Sequence, residues 1–242
     1  MSSSLVPVII VLVIAAAIAI AMYAAKVERE RKAAFAAVAA RRGWTFDPQG
    51  DPRWIDAFSE NPFSVGHARR VGCALTGSDR DRNVAAFDYT YFTTETSTTS
   101  DGKGGTTTTT REQAHHFRVA VVATGLSGPA LSLGGENWLI RAFDAIGGGD
   151  IDFESETFNR RFRVHCNDRK FAYDVITQQT MDALLAFQPE RLVWEAGWLM
   201  WADNGRWNPL EIEATFANLH AIVDCIPKYL REQGATPEPP QA

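Results

Sequence analysis

The sequence contains few cysteines and lacks the short motifs that mark the commonest cofactor and nucleophile sites. Its three cysteines, Cys73, Cys166 and Cys225, are odd in number and far apart. This pattern excludes a disulfide scaffold and indicates reduced thiols in a reducing compartment. The chain has no Cys-x-x-Cys pair, no Walker pattern and no dinucleotide-binding glycine fingerprint. Residues 125–129 match a nucleophile elbow only over its first three positions, so a tight turn is the favoured interpretation.

The composition is that of a soluble domain joined to one apolar segment. The 242 residues are 45% hydrophobic and 22% charged, with a net charge of −5 at pH 7. These values exclude a disordered chain, a collagen-like repeat and a multi-span transporter. Because the chain is acidic and its basic residues are scattered, we expect no nucleic-acid partner.

Residues 1–25 contain no Asp, Glu, Lys or Arg. The run at 5–25 would span roughly 31 Å as a helix, which matches a hydrocarbon core of about 30 Å. A cleaved signal peptide is the alternative, with Ala19-Ile20-Ala21 as its cleavage site. That alternative is disfavoured because residues 1–4 carry no basic side chain and the apolar run is longer than that of a usual signal peptide. We therefore predict a transmembrane helix at 5–25 in contact with the lipid bilayer. Its alanines permit self-association, although alanine as a simple helix former is the favoured interpretation.

The basic residues Lys26, Arg29, Arg31 and Lys32 directly follow this segment, and no basic side chain precedes it. The positive-inside rule then leaves residues 1–4 as a short extracytoplasmic end and places the large C-terminal domain in the cytoplasm. Residues 26–43 are rich in helix formers and end at Gly43, which predicts a helical stalk. Contact with anionic lipid and simple solvation of this stalk are equally favoured.

Residues 44–232 predict a cytoplasmic α+β domain in which an antiparallel-hairpin sheet packs with helices. A short helix is expected at 51–58, and alternating side chains predict strands at 68–76, 83–94 and 116–124. Residues 93–110 contain ten threonines and no apolar side chain that could be buried. A flexible Thr/Gly loop is therefore expected at 93–111. An inert linker is favoured there over a phosphorylation target.

The second half of the chain contains both helix and strand signals. A short helix is expected at 134–143, strands at 151–153 and 158–165, and a helix capped by Asp168. Apolar residues at helical spacing from Ile212 to Leu230 predict a C-terminal amphipathic helix that Pro227 interrupts. The proline-containing residues 233–242 predict a disordered tail.

No catalytic, cofactor-binding or metal-binding residue is assigned from the sequence. Neither His115 with His116 nor His165 with Cys166 chelates one ion easily, because adjacent strand residues face opposite ways. The favoured hypothesis is a single-pass membrane protein with a binding or interaction domain and no catalysis. The alternative is a membrane-tethered enzyme, hydrolase-like, with a site assembled from distant residues such as His165, Asp168 and Asp174.

Several longer motifs resemble those of uncharacterised bacterial membrane-anchored proteins with one N-terminal span. They are Arg-Gly-Trp-Thr-Phe at 42–46, Phe-Asp-Tyr-Thr-Tyr at 87–91, Glu-Ser-Glu-Thr-Phe-Asn-Arg-Arg-Phe-Arg-Val at 154–164 and Ile-Pro-Lys-Tyr-Leu at 226–230. The resemblance implies an inner-membrane protein of actinobacterial type. It implies no catalytic residue, because that group has no assigned activity.

Overall fold

A computed structural model describes residues 5–100, 106–135, 151–232, 234 and 236–239. The helix expected at 134–143 lies outside these described residues from 136 onward. The described helices are α1 (Leu5–Arg42), α2 (Glu156–Arg161), α3 (Arg169–Val175), α4 (Gln178–Phe187), α5 (Ile212–Cys225) and α6 (Lys228–Arg231). The described strands are β1 (Thr45–Asp47), β2 (His67–Asp79), β3 (Arg82–Ser100), β4 (Thr106–Ala123), β5 (Leu131–Gly134), β6 (Arg163–Cys166), β7 (Arg191–Glu195) and β8 (Trp198–Asn204). Two short 3-10 helices, Pro52–Ile55 and Pro209–Glu211, complete the described elements.

Within the described residues, the strands form a single antiparallel sheet in the order β1-β2-β3-β4-β8-β7-β5-β6. One face packs against the second half of α1 and the later helices, where Trp207, Phe216 and Leu219 are buried. The other face is covered by the segment around the first 3-10 helix, through Trp54, Phe58 and Phe63. The α+β class expected from the sequence therefore holds, with helices on one face of the sheet.

Helix α1 is continuous from the apolar segment into the domain. The side chains from Ile9 to Val27 are exposed and do not pack on the domain. Among the described helices, only α1 is long and apolar enough to cross a membrane. Further along, Phe35, Val38 and Ala39 are buried in the core, and Phe35 stacks on Phe46 with ring centroids 5.6 Å apart. The prediction of a stalk outside the domain is therefore wrong for this half of the helix, because its apolar face packs on the sheet.

The flexible loop expected at 93–111 is also corrected. Strands β3 and β4 stay paired through this region, from Thr93 opposite Gln113 to Ser100 opposite Thr106. Threonine favours extended backbone, and cross-strand hydrogen bonding of a two-stranded ribbon proceeds without a core beneath it. The described part of the segment is an exposed β-ribbon, in which only residues 101–105 lie outside the described chain.

Of the other elements predicted from the sequence, some are confirmed and others are wrong. Asp168 caps α3 by accepting a hydrogen bond from the Phe171 N–H, and α5 ends before Pro227 as predicted. The strand expected at 158–165 is instead α2 followed by β6, because Ser155 caps a helix by accepting from the Phe158 N–H. Residues 151–153 run beside β6 without forming a regular strand.

The tail expected to be disordered contacts the domain at its described residues. The Gly234 N–H donates to the Gly125 carbonyl at 3.0 Å, and the Asn83 side chain donates to the Pro237 carbonyl at 3.0 Å. The described residues of the tail are thus held against the strand ends by hydrogen bonds to their backbone.

Candidate functional site

A cavity of about 370 Å³ lies where α1 meets strands β2, β3 and β4. A second depression of about 480 Å³ opens between the start of α4 and the α5–α6 junction, and it involves no residue of α1. We take the first cavity as the candidate site because it joins the apolar helix to the sheet. Its lining residues are Glu28, Lys32, Pro48, Arg70, Val71, Gly72, Cys73, Asp88, Thr90, Phe92, His116 and Arg206.

The guanidinium of Arg31 contacts three residues of the cavity lining. It donates to Asp88 Oδ2 at 2.8 Å and to both carboxylate oxygens of Glu28, at 3.1 and 3.3 Å. It also donates to the Cys73 sulfur at 3.4 Å and lies over the Phe35 ring at 5.4 Å. Only 14% of the Arg31 side chain and 10% of the Asp88 side chain are exposed. The pair is therefore a largely desolvated, charge-assisted contact.

The segment after β8 completes the network from the other side. Arg206 bridges Glu28 at 3.2 Å and Asp88 at 3.6 Å, and the Trp207 N–H donates to Asp88 Oδ1 at 2.9 Å. The Trp207 indole N–H in turn donates to the Val119 carbonyl at 3.1 Å. Both carboxylates of the site are thus neutralised by arginines.

These contacts change the acidity of two groups in the cavity wall. Burial alone raises the pKa of Glu28, but the hydrogen bonds and charges of Arg31 and Arg206 outweigh burial and lower that pKa from its ordinary value. Burial raises the pKa of the Cys73 thiol even though the Arg31 charge opposes the rise. A thiol with a raised pKa is a poor nucleophile, so Cys73 serves here as a neutral wall residue.

Two further cations line the cavity without a carboxylate partner among the described residues. Lys32 extends from α1, one helical turn beyond Glu28, and Arg70 extends from β2 with its guanidinium over the Phe92 ring at 5.7 Å. Since Arg31 and Arg206 already neutralise Glu28 and Asp88, the charges of Lys32 and Arg70 leave the cavity positive.

The residues of the enzyme hypothesis have structural partners. Asp168 caps α3, and Asp174 pairs with Lys170 at 2.5 Å within that helix. His165 lies on β6, one of the two edge strands of the described sheet, and none of the three lines either cavity described above. The arrangement gives these carboxylates a role in helix α3.

The histidines considered for metal binding are also dispersed. His115 contacts Thr93 Oγ1 at 2.8 Å and stacks on Tyr91, whereas His116 contacts Thr90 Oγ1 at 3.0 Å. In the part of the chain that the structure describes, no group of three or more His, Cys, Asp or Glu side chains is arranged to hold a metal ion.

A second ion cluster lies at the far end of α1. The buried His220 ring contacts Asp79 Oδ2 at 3.0 Å through Nε2 and Arg82 at 3.1 Å through Nδ1. Arg42 also pairs with Asp79, and Arg82 pairs with Asp224 at 2.6 Å. Burial lowers the pKa of His220, and the nearby Arg82 charge adds to this effect while Asp79 opposes it. This cluster joins α1, the β2–β3 turn and α5.

Sequence reasoning missed the cavity because its lining residues come from six separate stretches of the chain, between Glu28 and Arg206. One signal for the site was present in the sequence. Asp88 is an acidic residue within the alternating apolar residues of β3, and a charged group on a buried strand requires a partner.

Comparison with known proteins shows a similarity of fold to a solved structure. No protein-family model matches the chain, and no curated protein matches it. Among solved structures, the chain is similar to the crystal structure of the mycobacterial trehalose monomycolate transport factor A, TtfA. The TM-score is 0.53 at 10% sequence identity, with 88% of this chain and 97% of that chain covered. At this identity, the chain and TtfA share a fold.

Proposed function

We propose that the protein is a non-catalytic, single-pass membrane-anchored factor whose domain lies in the cytoplasm and binds a partner at the membrane. One observation carries the proposal: α1 runs without a break from an exposed apolar half into a half buried in the domain core. A domain built on such a helix is held at a fixed height above the bilayer. The basic residues that follow the apolar run favour the cytoplasmic side.

We further propose an accessory role in lipid transport, as a member of the actinobacterial-type group that the motifs resemble. TtfA, the structure to which the chain is similar, is a trehalose monomycolate transport factor, and the similarity covers 88% of this chain and 97% of that one. On this proposal, the chain acts on a trehalose-containing or similar envelope lipid through its position at the membrane. Depleting the protein in its source organism is expected to leave newly made lipid of this class in the inner membrane. An unchanged lipid distribution contradicts the transport role and leaves the anchoring role standing.

Membrane anchoring is tested by alkaline carbonate extraction of cell membranes. The wild-type chain should stay in the membrane pellet, and Ile14→Arg with Ile18→Arg should release it. Each central arginine costs about 2.5–3.5 kcal/mol of insertion free energy. The matched control is Ala36→Arg with Ala40→Arg, which adds the same two charges at exposed positions beyond the apolar run and should stay in the pellet. Release of the wild-type chain, or a mature chain beginning after Ala21, would overturn anchoring.

Orientation is tested with reporters fused after Ala242. A fluorescent protein that folds only in the cytoplasm should be bright, and an alkaline phosphatase that needs periplasmic oxidation should be inactive. The reverse pattern would contradict the cytoplasmic placement.

A further inference from the structure

We propose that the cavity between α1 and the sheet binds the phosphate of an anionic phospholipid headgroup from the leaflet next to the domain. This inference rests on the proposed function, because it requires residues 5–25 to lie in the bilayer. It names a ligand for the cavity described above, and Lys32 and Arg70 are the residues that bind it.

The depth of the cavity matches the headgroup layer. Glu28 and Lys32 follow Ala25 by three and seven residues, which is roughly 4.5 and 10 Å along the helix axis. The polar layer beyond the hydrocarbon core is about 5–8 Å thick on each side. Glu28 therefore lies within this layer, and Lys32 lies just beyond it, so the long Lys32 side chain has to reach back toward a headgroup beside α1.

The direction of β2 shows which end of the cavity faces the membrane. Arg31 contacts Cys73, and Arg42, farther along α1, pairs with Asp79, farther along β2. Strand β2 therefore runs in the same direction as α1. Going back along β2 from Cys73 to Arg70 thus leads toward the apolar half of the helix. The Arg31–Asp88 contact therefore lies farther from the apolar half of α1 than Arg70 does, and Arg70 lies on the side nearer the bilayer.

The charges of the cavity favour an anion. Both carboxylates are satisfied by Arg31 and Arg206, so an added anion meets neutralised acids and the two cations Lys32 and Arg70. Arginine and lysine together are the usual phosphate ligands, and basic pockets beside membrane helices take lipid headgroups. The Phe92 ring holds the Arg70 guanidinium against the cavity wall.

The size and apolar wall fit a glycerophosphate group better than a bare ion. About 370 Å³ is far larger than one phosphate, and Pro48, Val71 and Phe92 supply apolar surface for the glycerol. We therefore assign the site to the lipid and treat free phosphate as a separate outcome.

The experiment is calorimetric titration of the full-length chain in a non-ionic detergent. The probes are short-chain phosphatidylglycerol, short-chain diacylglycerol without phosphate, and inorganic phosphate. Lys32→Gln with Arg70→Gln should weaken phosphatidylglycerol binding at least tenfold. Arg29→Gln is the control, because this exposed arginine lies next to Glu28 on α1 and outside the cavity lining, and its binding should stay within twofold of the wild type.

Four outcomes overturn the proposal. They are no binding of phosphatidylglycerol, equal binding of diacylglycerol, equally tight binding of inorganic phosphate, and an equal loss in Arg29→Gln. The third identifies a free-phosphate site, and the fourth identifies general surface attraction. Lys32→Gln with Arg70→Gln retains the apolar segment, so it should still resist carbonate extraction. A failure of headgroup binding is thereby distinguished from a failure of anchoring.

Discussion

Arg31 and Asp88 lie 57 residues apart in sequence, and their side chains meet at 2.8 Å in a largely buried ion pair. Arg31 belongs to the helix that carries the apolar segment, and Asp88 belongs to β3, inside the sheet. Asp88 also accepts the Trp207 N–H, so one carboxylate joins the helix, the sheet and the segment after β8. This contact ties the helix that carries the apolar segment to the sheet.

Replacing Arg31 should be strongly destabilising. In Arg31→Gln, Asp88 keeps its charge in a desolvated position and loses its main partner. Removing one member of a buried pair costs about 3–5 kcal/mol of unfolding free energy. We expect a loss near the lower end of that range, because Arg206 still approaches Asp88 at 3.6 Å. Denaturant unfolding of the full chain in non-ionic detergent measures the change.

Two companion variants test whether the loss comes from this pair. Lys26→Gln breaks an exposed pair with Glu30 and should cost less than about 1 kcal/mol. Adding Asp88→Asn to Arg31→Gln removes the stranded charge and retains an acceptor for the Trp207 N–H. The double variant should be less destabilised than the sum of the single variants. Simple additivity would contradict the coupling.

The sequence predicts the elements whose signals are local. Apolar side chains at helical spacing locate α5, Asp168 marks the start of α3, and the alternation around Phe87 marks β3. Each depends on neighbours within a few residues, where hydrophobic periodicity and capping are informative.

The sequence does not predict features that depend on distant partners. Phe35 looks like one of many apolar residues on a charged helix, and only its packing on Phe46 makes it part of the core. The threonine ribbon, which is the exposed β-ribbon in the described part of residues 93–111, is not predicted from the sequence, because hydrophobic alternation detects only strands that bury one face. This ribbon is held by backbone pairing between β3 and β4. The cavity needs α1, the strands β2, β3 and β4, and the segment after β8 together, and these segments are far apart in the sequence.

The second half of α1 should be required for folding, and the first half should not. The described side chains among residues 1–25 are exposed, so removing this segment should leave a folded domain. Within that shortened chain, Phe35→Ala should lower the unfolding free energy by about 3–5 kcal/mol, through the lost burial and the cavity left behind. Ala36→Ser changes an exposed position of the same helix and should have little effect. Circular dichroism during thermal unfolding measures both, and a wild-type melting curve for Phe35→Ala would contradict the packing.

Stability should decrease in mild acid because of His220. Burial lowers the pKa of His220 in the folded state, so the folded protein keeps the ring neutral while the unfolded chain protonates near pH 6.5. The unfolded state therefore binds more protons below that pH. The contribution to stability is complete above about pH 6.5 and is lost as the pH falls toward the lower pKa of the folded state, by up to about 1.4 kcal/mol per pH unit.

The comparison of His220→Gln with the wild type isolates this effect. Melting temperatures measured from pH 7.5 to 5 should fall less steeply in His220→Gln, although the variant starts less stable after losing its contacts with Asp79 and Arg82. An unchanged slope in His220→Gln would show that other groups cause the acid sensitivity.

The threonine ribbon should be dispensable for the stability of the domain. Thr96 pairs with Thr110, so residues 97–109 can be replaced by Asn-Gly, which favours the two-residue turn of a hairpin. The described side chains of the deleted part are exposed, and none belongs to either core cluster. The unfolding free energy should change by less than about 1 kcal/mol, since surface changes away from buried groups rarely cost more. If the shortened chain instead fails to fold, or melts far below the wild type, the ribbon must support the sheet through contacts beyond its own ladder.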